Sequence, residues 1–246
     1  MGAQFPDRLI NILRSAQSVA VLTGAGVSAE SGIPTFREAQ TGLWSIYRPE
    51  DLATPQAFAA NPKLVWDWYA WRRKLVSEAL PNPGHRAIVE LEAHYPNFAV
   101  ITQNVDSLHQ RAGSHKVIEL HGNISRIKCS KEGLVIEDWI EGIDHPPRCP
   151  RCGSYMRPDV VWFGEGLPPH QINAAVEAAR GCQVFLSIGT SSLVEPAASL
   201  PLIARDAGAT IIEINLSSTP LSPFAQFLLT GTSGDILPSL LLAIIG

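Results

Sequence analysis

The chain has 246 residues, 46% of them hydrophobic, and a formal net charge of −4. That length gives one large domain or a domain with an insertion, with ample apolar material for a core. The weakly acidic balance lends no electrostatic support to a general nucleic-acid role. The N-terminus shows no basic region followed by a long apolar run, so no secretory signal is expected. The longest apolar stretch, residues 236–245, contains Pro238 and is too short to span a bilayer. A soluble, cytoplasmic protein without a membrane partner is expected.

Residues 19–22 read as a first strand, which enters Thr23-Gly24-Ala25-Gly26. Gly24-x-Gly26-x-x-Ala29 then opens a helical segment. Glycines there let backbone N–H groups approach a pyrophosphate, and a helix N-terminus adds a favourable dipole. Taken alone, the match suits a plain tight turn equally well. The acidic residue roughly 20 positions on, usual in Rossmann dehydrogenases, is missing. Instead Gly32-Ile33-Pro34 stops the helix and leads into Thr35, Phe36 and Arg37. A hydride-transfer enzyme therefore fits poorly.

Residues 33–80 break the pattern with Pro34, Pro49, Pro55 and Pro62, and end in an aromatic-rich helix over 62–80. Tyr69 and Arg72, three apart, share a face of that helix. A helix over 85–93 and a strand over 98–101 follow. That strand ends in the polar run Gln103-Asn104-Val105-Asp106, and a strand over 117–120 ends in His121-Gly122. Open α/β sheets place their chemistry at such carboxyl ends. Residues 124–157 form a second interruption and hold three of the four cysteines. Cys149-x-x-Cys152, set among Pro, Arg and Gly, has the look of a zinc knuckle rather than a disulfide framework.

The alternation then resumes. A helix over 169–179 precedes a strand over Val184–Ile188, which ends in Gly189-Thr190-Ser191. A helix over 197–207 precedes a strand over 210–214, which ends in Asn215. Cys182 reads as a buried core thiol. The fold class is α/β: a doubly wound, parallel, Rossmann-like sheet with a smaller inserted domain, made of a helical segment and a zinc-ribbon-like module.

The run from Gly24 to Arg37, then Thr102-Gln103-Asn104-Val105-Asp106, Leu120-His121-Gly122 and Val160-Val161-Trp162-Phe163-Gly164-Glu165 occur in this order. Together they resemble the sirtuins, NAD-dependent protein-lysine deacylases, over nearly the whole chain. The resemblance divides the chain into a Rossmann-like NAD-binding part (1–32, 84–123 and 158–246) and small-domain insertions (33–83 and 124–157), with substrates in the cleft between. It implies acyl transfer from lysine to NAD, yielding nicotinamide, O-acyl-ADP-ribose and free lysine.

The resemblance also implies residue roles. Gly24, Ala25, Gly26, Ser28, Gly189, Thr190, Ser191 and Asn215 would hold NAD, with Ser233 near the adenine. Asp106 and the Ile33 backbone would hold the nicotinamide carboxamide. Thr35, Phe36 and Arg37 would fold over that end, with Phe36 shielding the reacting carbon. Gln103 would bond to a ribose hydroxyl, and Asn104 would orient the ribose or a water. His121 would be the base, a role that an ordinary imidazole pKa near 6.5 suits. The other six histidines read as structural, His85 and His109 among them. Val161, Trp162, Phe163 and Gly164 would pair with an extended acyl-lysine peptide by adding a strand.

Tyr69-x-x-Arg72 resembles the sirtuin class that removes succinyl, malonyl and glutaryl groups. Arg offers a planar two-pronged donor for the terminal carboxylate of such groups, and Tyr adds a hydroxyl. The other reading is a solvated basic face with Arg73 and Lys74. A roomy pocket would also admit acetyl. Sirtuins hold a structural zinc with two Cys-x-x-Cys pairs. Here Cys129 is followed by Ser130, Lys131 and Glu132, so the ligand set becomes Cys129, Cys149, Cys152 and Glu132. His145 or Asp138 could instead supply the fourth ligand, or the metal is lost and Ile127, Leu134, Val135 and Ile136 hold the module. Other readings are a plain deacetylase, a mono-ADP-ribosyltransferase and a catalytically weak NAD-sensing module. Glu195 keeps the last open, standing where relatives often have an aromatic residue. A monomer acting on proteins, with no nucleic-acid partner, is expected.

Overall fold

A computed structural model describes residues 5–34, 49–139, 142 and 145–246. Thr35, Phe36 and Arg37, expected over the nicotinamide, lie outside these. Helix α1 (Asp7–Ser15) leads into β1 (Ser18–Thr23) and the short α2 (Ala25–Ala29). Helices α3 (Pro49–Leu52), α4 (Pro55–Ala60), α5 (Pro62–Glu78) and α6 (Pro83–His94) precede β2 (Asn97–Thr102). Next come α7 (Leu108–Ala112), β3 (Val117–Glu119), β4 (Gly122–Cys129), β5 (Val135–Ile136) and β6 (Met156–Val160). The chain closes with α8 (Pro169–Gly181), β7 (Val184–Ile188), α9 (Leu200–Asp206), β8 (Thr210–Asn215), β9 (Phe227–Thr230) and α10 (Ser233–Ile245).

Six strands form a parallel sheet in the order β3-β2-β1-β7-β8-β9. The chain fills one half of the sheet moving away from β1, then returns beside β1 and fills the other. The point of reversal lies between β1 and β7, where such sheets bind nucleotides. Side chains alternate across the sheet. Val19, Val21, Val100, Leu186 and Ile212 enter a core with α1, α6 and α10. Ala20, Leu22, Ile101, Phe185 and Ile211 enter another with α8 and α9. Burial on both faces explains why these strands read as unbroken apolar runs.

A second sheet is antiparallel, in the order β5-β4-β6. Leu52, Phe58, Val65, Trp68 and Tyr69 from α3–α5 form a core with Ile124, Val160 and Trp162. Trp66 instead joins Ile127, Cys129, Cys149 and Met156. Asn61 and Thr54 cap α5 and α4 by accepting from Leu64 and Ala57 N–H groups.

The structure corrects several boundaries. Leu120 lies in a turn after β3 rather than in the strand, and His121 follows in the same turn. The 197–207 segment splits into a 3-10 turn, Ala197–Ser199, and α9. Residues 227–230 make a strand, β9, that the sequence did not suggest, and the apolar stretch 236–245 lies within the helix α10. Residues 161–164, expected to pair with a peptide, are loop and turn just beyond the end of β6 at Val160. No described helix is long and apolar enough to cross a membrane.

Candidate active site

The site begins where β1 and β7 end. Gly24 N–H donates to the Ile188 carbonyl at 3.1 Å, and Gly26 N–H to the Gly189 carbonyl at 2.8 Å. A Cβ on Gly26 would stand 2.8 Å from both the Cα and the oxygen of Gly189. Only bare backbone fits at this crossing, as close approach to a pyrophosphate requires.

Polar side chains from the ends of two further strands, β2 and β8, converge there. Gln103 Nε2 donates to Thr190 Oγ1 at 2.9 Å. Asn215 Nδ2 donates to the Thr190 carbonyl at 2.8 Å. Asn104 Nδ2 donates to the Gly24 carbonyl and to Ser28 Oγ, each at 3.0 Å. Ser28 Oγ donates in turn to Asp106 Oδ2 at 2.7 Å, and Leu108 N–H donates to Oδ1 at 2.9 Å. Burial pushes the Asp106 carboxyl above its ordinary value, against these two bonds. Ser28, Asn104 and Asp106 are thus one unit built from two segments, α2 and the run that follows β2.

His121 Nδ1 lies 3.0 Å from the Gln103 carbonyl. A carbonyl only accepts, so Nδ1 carries the proton and Nε2 keeps its lone pair. Nε2 has no hydrogen-bond partner among the described residues. Burial pulls the imidazole below its usual pKa, and the Gln103 bond opposes this. The ring is therefore a fixed, neutral base at neutral pH.

Sequence reasoning missed the layer beneath. Thr102 Oγ1 accepts from Asn104 N–H at 3.0 Å and from Thr23 Oγ1 at 2.9 Å. Thr23 also meets His109 Nε2 at 2.9 Å. The His109 ring lies 4.9 Å from that of His85, whose helix is capped by Asn82. A threonine closing each of β1 and β2 was the available signal. Ser233 has its Oγ 3.1 Å from Glu30 Oε2, to which it donates, and Glu195 accepts from Ser199 at 2.8 Å.

Across the cleft, Tyr69 is buried and accepts from Trp162 Nε1 at 3.0 Å. Burial raises its phenol to about 12. The charge of Arg72 acts on both Tyr69 and Asp106, and burial lowers the guanidinium below its ordinary value. A cavity of about 950 Å³ opens beside Asp106 between α5 and β4, with Arg73, Ser107, Arg111, Ile124 and Trp139 in its wall. Val161 N–H bonds the His121 carbonyl at 2.9 Å, and Phe163 N–H bonds the Ala53 carbonyl at 3.0 Å. Those two donors are spent within the fold.

The Sγ atoms of Cys129, Cys149 and Cys152 lie within 4.8 Å of one another. Three converging thiols fit a zinc ion. Hydrogen bonds from Ser154 pull Cys152 down to about 7, towards the thiolate. Glu132, Asp138 and His145 do not join the cluster within that span. Glu132 instead faces Arg151 at 3.5 Å, while its N–H bonds Cys129 Sγ at 3.3 Å. Cys182 is the buried thiol expected.

A sequence profile described as the Sir2 family matches residues 24–196. An NAD-dependent protein deacylase of Pyrococcus abyssi is 51% identical over 92% of this chain and 93% of its own length. A crystal structure of a Sir2 homologue–NAD complex superposes with a TM-score of 0.92 at 46% identity, covering 99% of this chain and 95% of that one. A Sir2 protein bound to an acetylated peptide superposes at 0.86 with 31% identity, covering 96% of each chain. The glycine crossing, the Ser28–Asn104–Asp106 unit and the His121 turn all lie inside the matched region, and the chain belongs to the Sir2 family, the sirtuins.

Proposed function

We propose that this chain is an NAD-dependent protein-lysine deacylase that prefers acidic acyl groups, succinyl and malonyl with glutaryl in reach, and also removes acetyl. The observation that carries the preference is the placement of Tyr69 and Arg72. They share a face of α5, Tyr69 touches Trp162 of the peptide segment, and the Arg72 charge reaches Asp106. A carboxylate on the acyl end would meet a cation and a hydroxyl donor there.

NAD, when bound, supplies a ribose carbon that releases nicotinamide and accepts the acyl oxygen. His121 Nε2 takes a proton from a ribose hydroxyl, since Nδ1 is committed to Gln103. Asp106 and Ile33 hold the carboxamide, Asn104 orients the ribose, and Gln103 bonds a ribose hydroxyl. Thr35, Phe36 and Arg37 complete the pocket. Gly24, Ala25, Gly26, Ser28, Gly189, Thr190, Ser191, Asn215 and Ser233 hold the rest of NAD. Residues 161–164 receive the peptide. Zinc would tie β4 to the 149–152 turn through three thiolates and Glu132, once that carboxylate leaves Arg151. Residues 33–83 and 124–157 act as the small domain, and the rest as the nucleotide domain. Four free thiols suit a reducing compartment such as the cytoplasm. We assign a monomer working on acyl-lysine proteins.

The test is Arg72→Met, with nicotinamide release followed on one peptide bearing succinyl-lysine or acetyl-lysine. Loss of a charge-assisted contact of roughly 1.5–3 kcal/mol lowers kcat/KM for succinyl about 10- to 150-fold relative to acetyl. Equal losses on both peptides make Arg72 a support of the fold and leave a plain deacetylase.

A further inference from the structure

Trp162 sits in an unusually constrained position for a residue just past a strand end. Its ring is held by Arg157, whose guanidinium lies 3.3 Å from the ring centroid. Arg157 is itself buried and fixed by Glu165 at 2.6 and 2.7 Å, and by the Val160 carbonyl at 2.8 Å. Glu165 Oε2 also accepts from Trp162 N–H at 2.8 Å, and Glu165 N–H returns a bond to the Trp162 carbonyl at 3.0 Å. Burial works against the Glu165 carboxylate, but the Arg157 bonds overcome it and hold the pKa below the ordinary value. The turn 162–165 is thus clamped from both ends.

The consequence falls on Tyr69. The indole N–H can only donate, so the Tyr69 oxygen accepts at 3.0 Å. Its own proton has no acceptor among the described residues. A cation over the indole face draws electron density from the ring and strengthens the N–H as a donor. A hydroxyl that already accepts a bond from Trp162 has its proton left to offer. An acyl carboxylate is a strong acceptor for it, and an acetyl methyl is none.

We propose that Trp162, clamped by Arg157 and Glu165, is a specificity-determining positioning residue: its indole N–H fixes the Tyr69 hydroxyl as a donor towards an acidic acyl group. This rests on the acidic-acyl reading above. It acts through Tyr69, so the two residues must be coupled.

The experiment is a double-mutant cycle with Trp162→Phe and Tyr69→Phe. It reads the ratio of kcat/KM for succinyl-lysine to that for acetyl-lysine on one peptide, with melting curves for each variant. W162F keeps an aromatic ring and removes the N–H. It should lower the ratio roughly 3- to 10-fold, the effect of one neutral hydrogen bond, and should lower it no further in a Y69F background. An unchanged ratio, or an equal fall in both backgrounds, overturns the inference. Should W162F melt too early for assay, E165Q loosens the clamp with Trp162 in place. It should give a smaller fall that also vanishes with Y69F, and a fall that persists overturns the inference. A wild-type ratio below one sinks the acidic-acyl reading and this inference together. A ratio above one with uncoupled variants sinks the inference alone.

Discussion

The neutral imidazole of His121 owes its orientation to one backbone carbonyl. With Nδ1 protonated towards Gln103, only Nε2 can accept a proton. His121→Ala should therefore stop nicotinamide release with either acyl peptide, and full activity in that variant removes the assignment. Burial lowers this pKa, so the base form persists below pH 6.5. The acid limb of kcat/KM should accordingly fall below pH 6.5; a limb above it would assign the base to another group. Beneath the site, His85 and His109 are fully buried and pulled to about 4 and about 3 by desolvation. Their folded pKa values lie below the unfolded 6.5, so the unfolded chain binds the extra protons. Stability from these groups is complete above pH 6.5 and is lost as pH falls towards 4. Each contributes about 2 kcal/mol of loss between pH 7 and 5. Urea midpoints at both pH values, in wild type and His85→Gln, would show it: the variant should lose less, and equal slopes would refute the assignment. Glu30 and Arg86 act on His85 in opposite senses without cancelling burial.

The link between β3 and β4 shows how tightly the elements are set. Gly122 has φ +78°, and a Cβ there would stand 2.2 Å from the Asp159 carbonyl oxygen. Gly122→Ala should cost roughly 2 kcal/mol or more and displace His121, its neighbour. A urea midpoint within about 0.5 kcal/mol of wild type would show that β6 yields. Such elements were legible in the sequence where burial and pattern agreed. Strands β1, β2, β7 and β8 announce themselves because both faces are packed, and α5 because Asn61 and Pro62 open it. β9 escaped notice because only Phe227 and Leu229 pack inward while Leu228 is exposed, giving a short alternating strand without a flanking apolar run. The polar tips were readable as types, Gln103 to Asp106 above all. Their mutual bonds were not, since Ser28 and Asp106 are 78 positions apart. The Arg157–Glu165 clamp was hidden for a related reason: nothing local says that a buried guanidinium stacks on an indole.

The molecule is two sheets joined at His121, with the cavity of about 950 Å³ along the joint. If the three thiols hold zinc, stripping it should loosen the smaller sheet. A chelator should lower the melting temperature by at least about 5 °C, the shift that ~2 kcal/mol produces in a chain of this size. A melt unchanged by chelation, with no zinc released, would leave Ile127, Met156 and Trp66 as the whole support. The polar residues at the sheet's edge carry a separate consequence. Ser28 bonds both Asn104 and Asp106, and Gln103 and Asn215 both bond Thr190. A dinucleotide held by these residues, as proposed, would trade some of these internal bonds for its own. Such an exchange would leave the same partners ready to reclaim each other. After product departs, those bonds would re-form and return the site to the arrangement seen here.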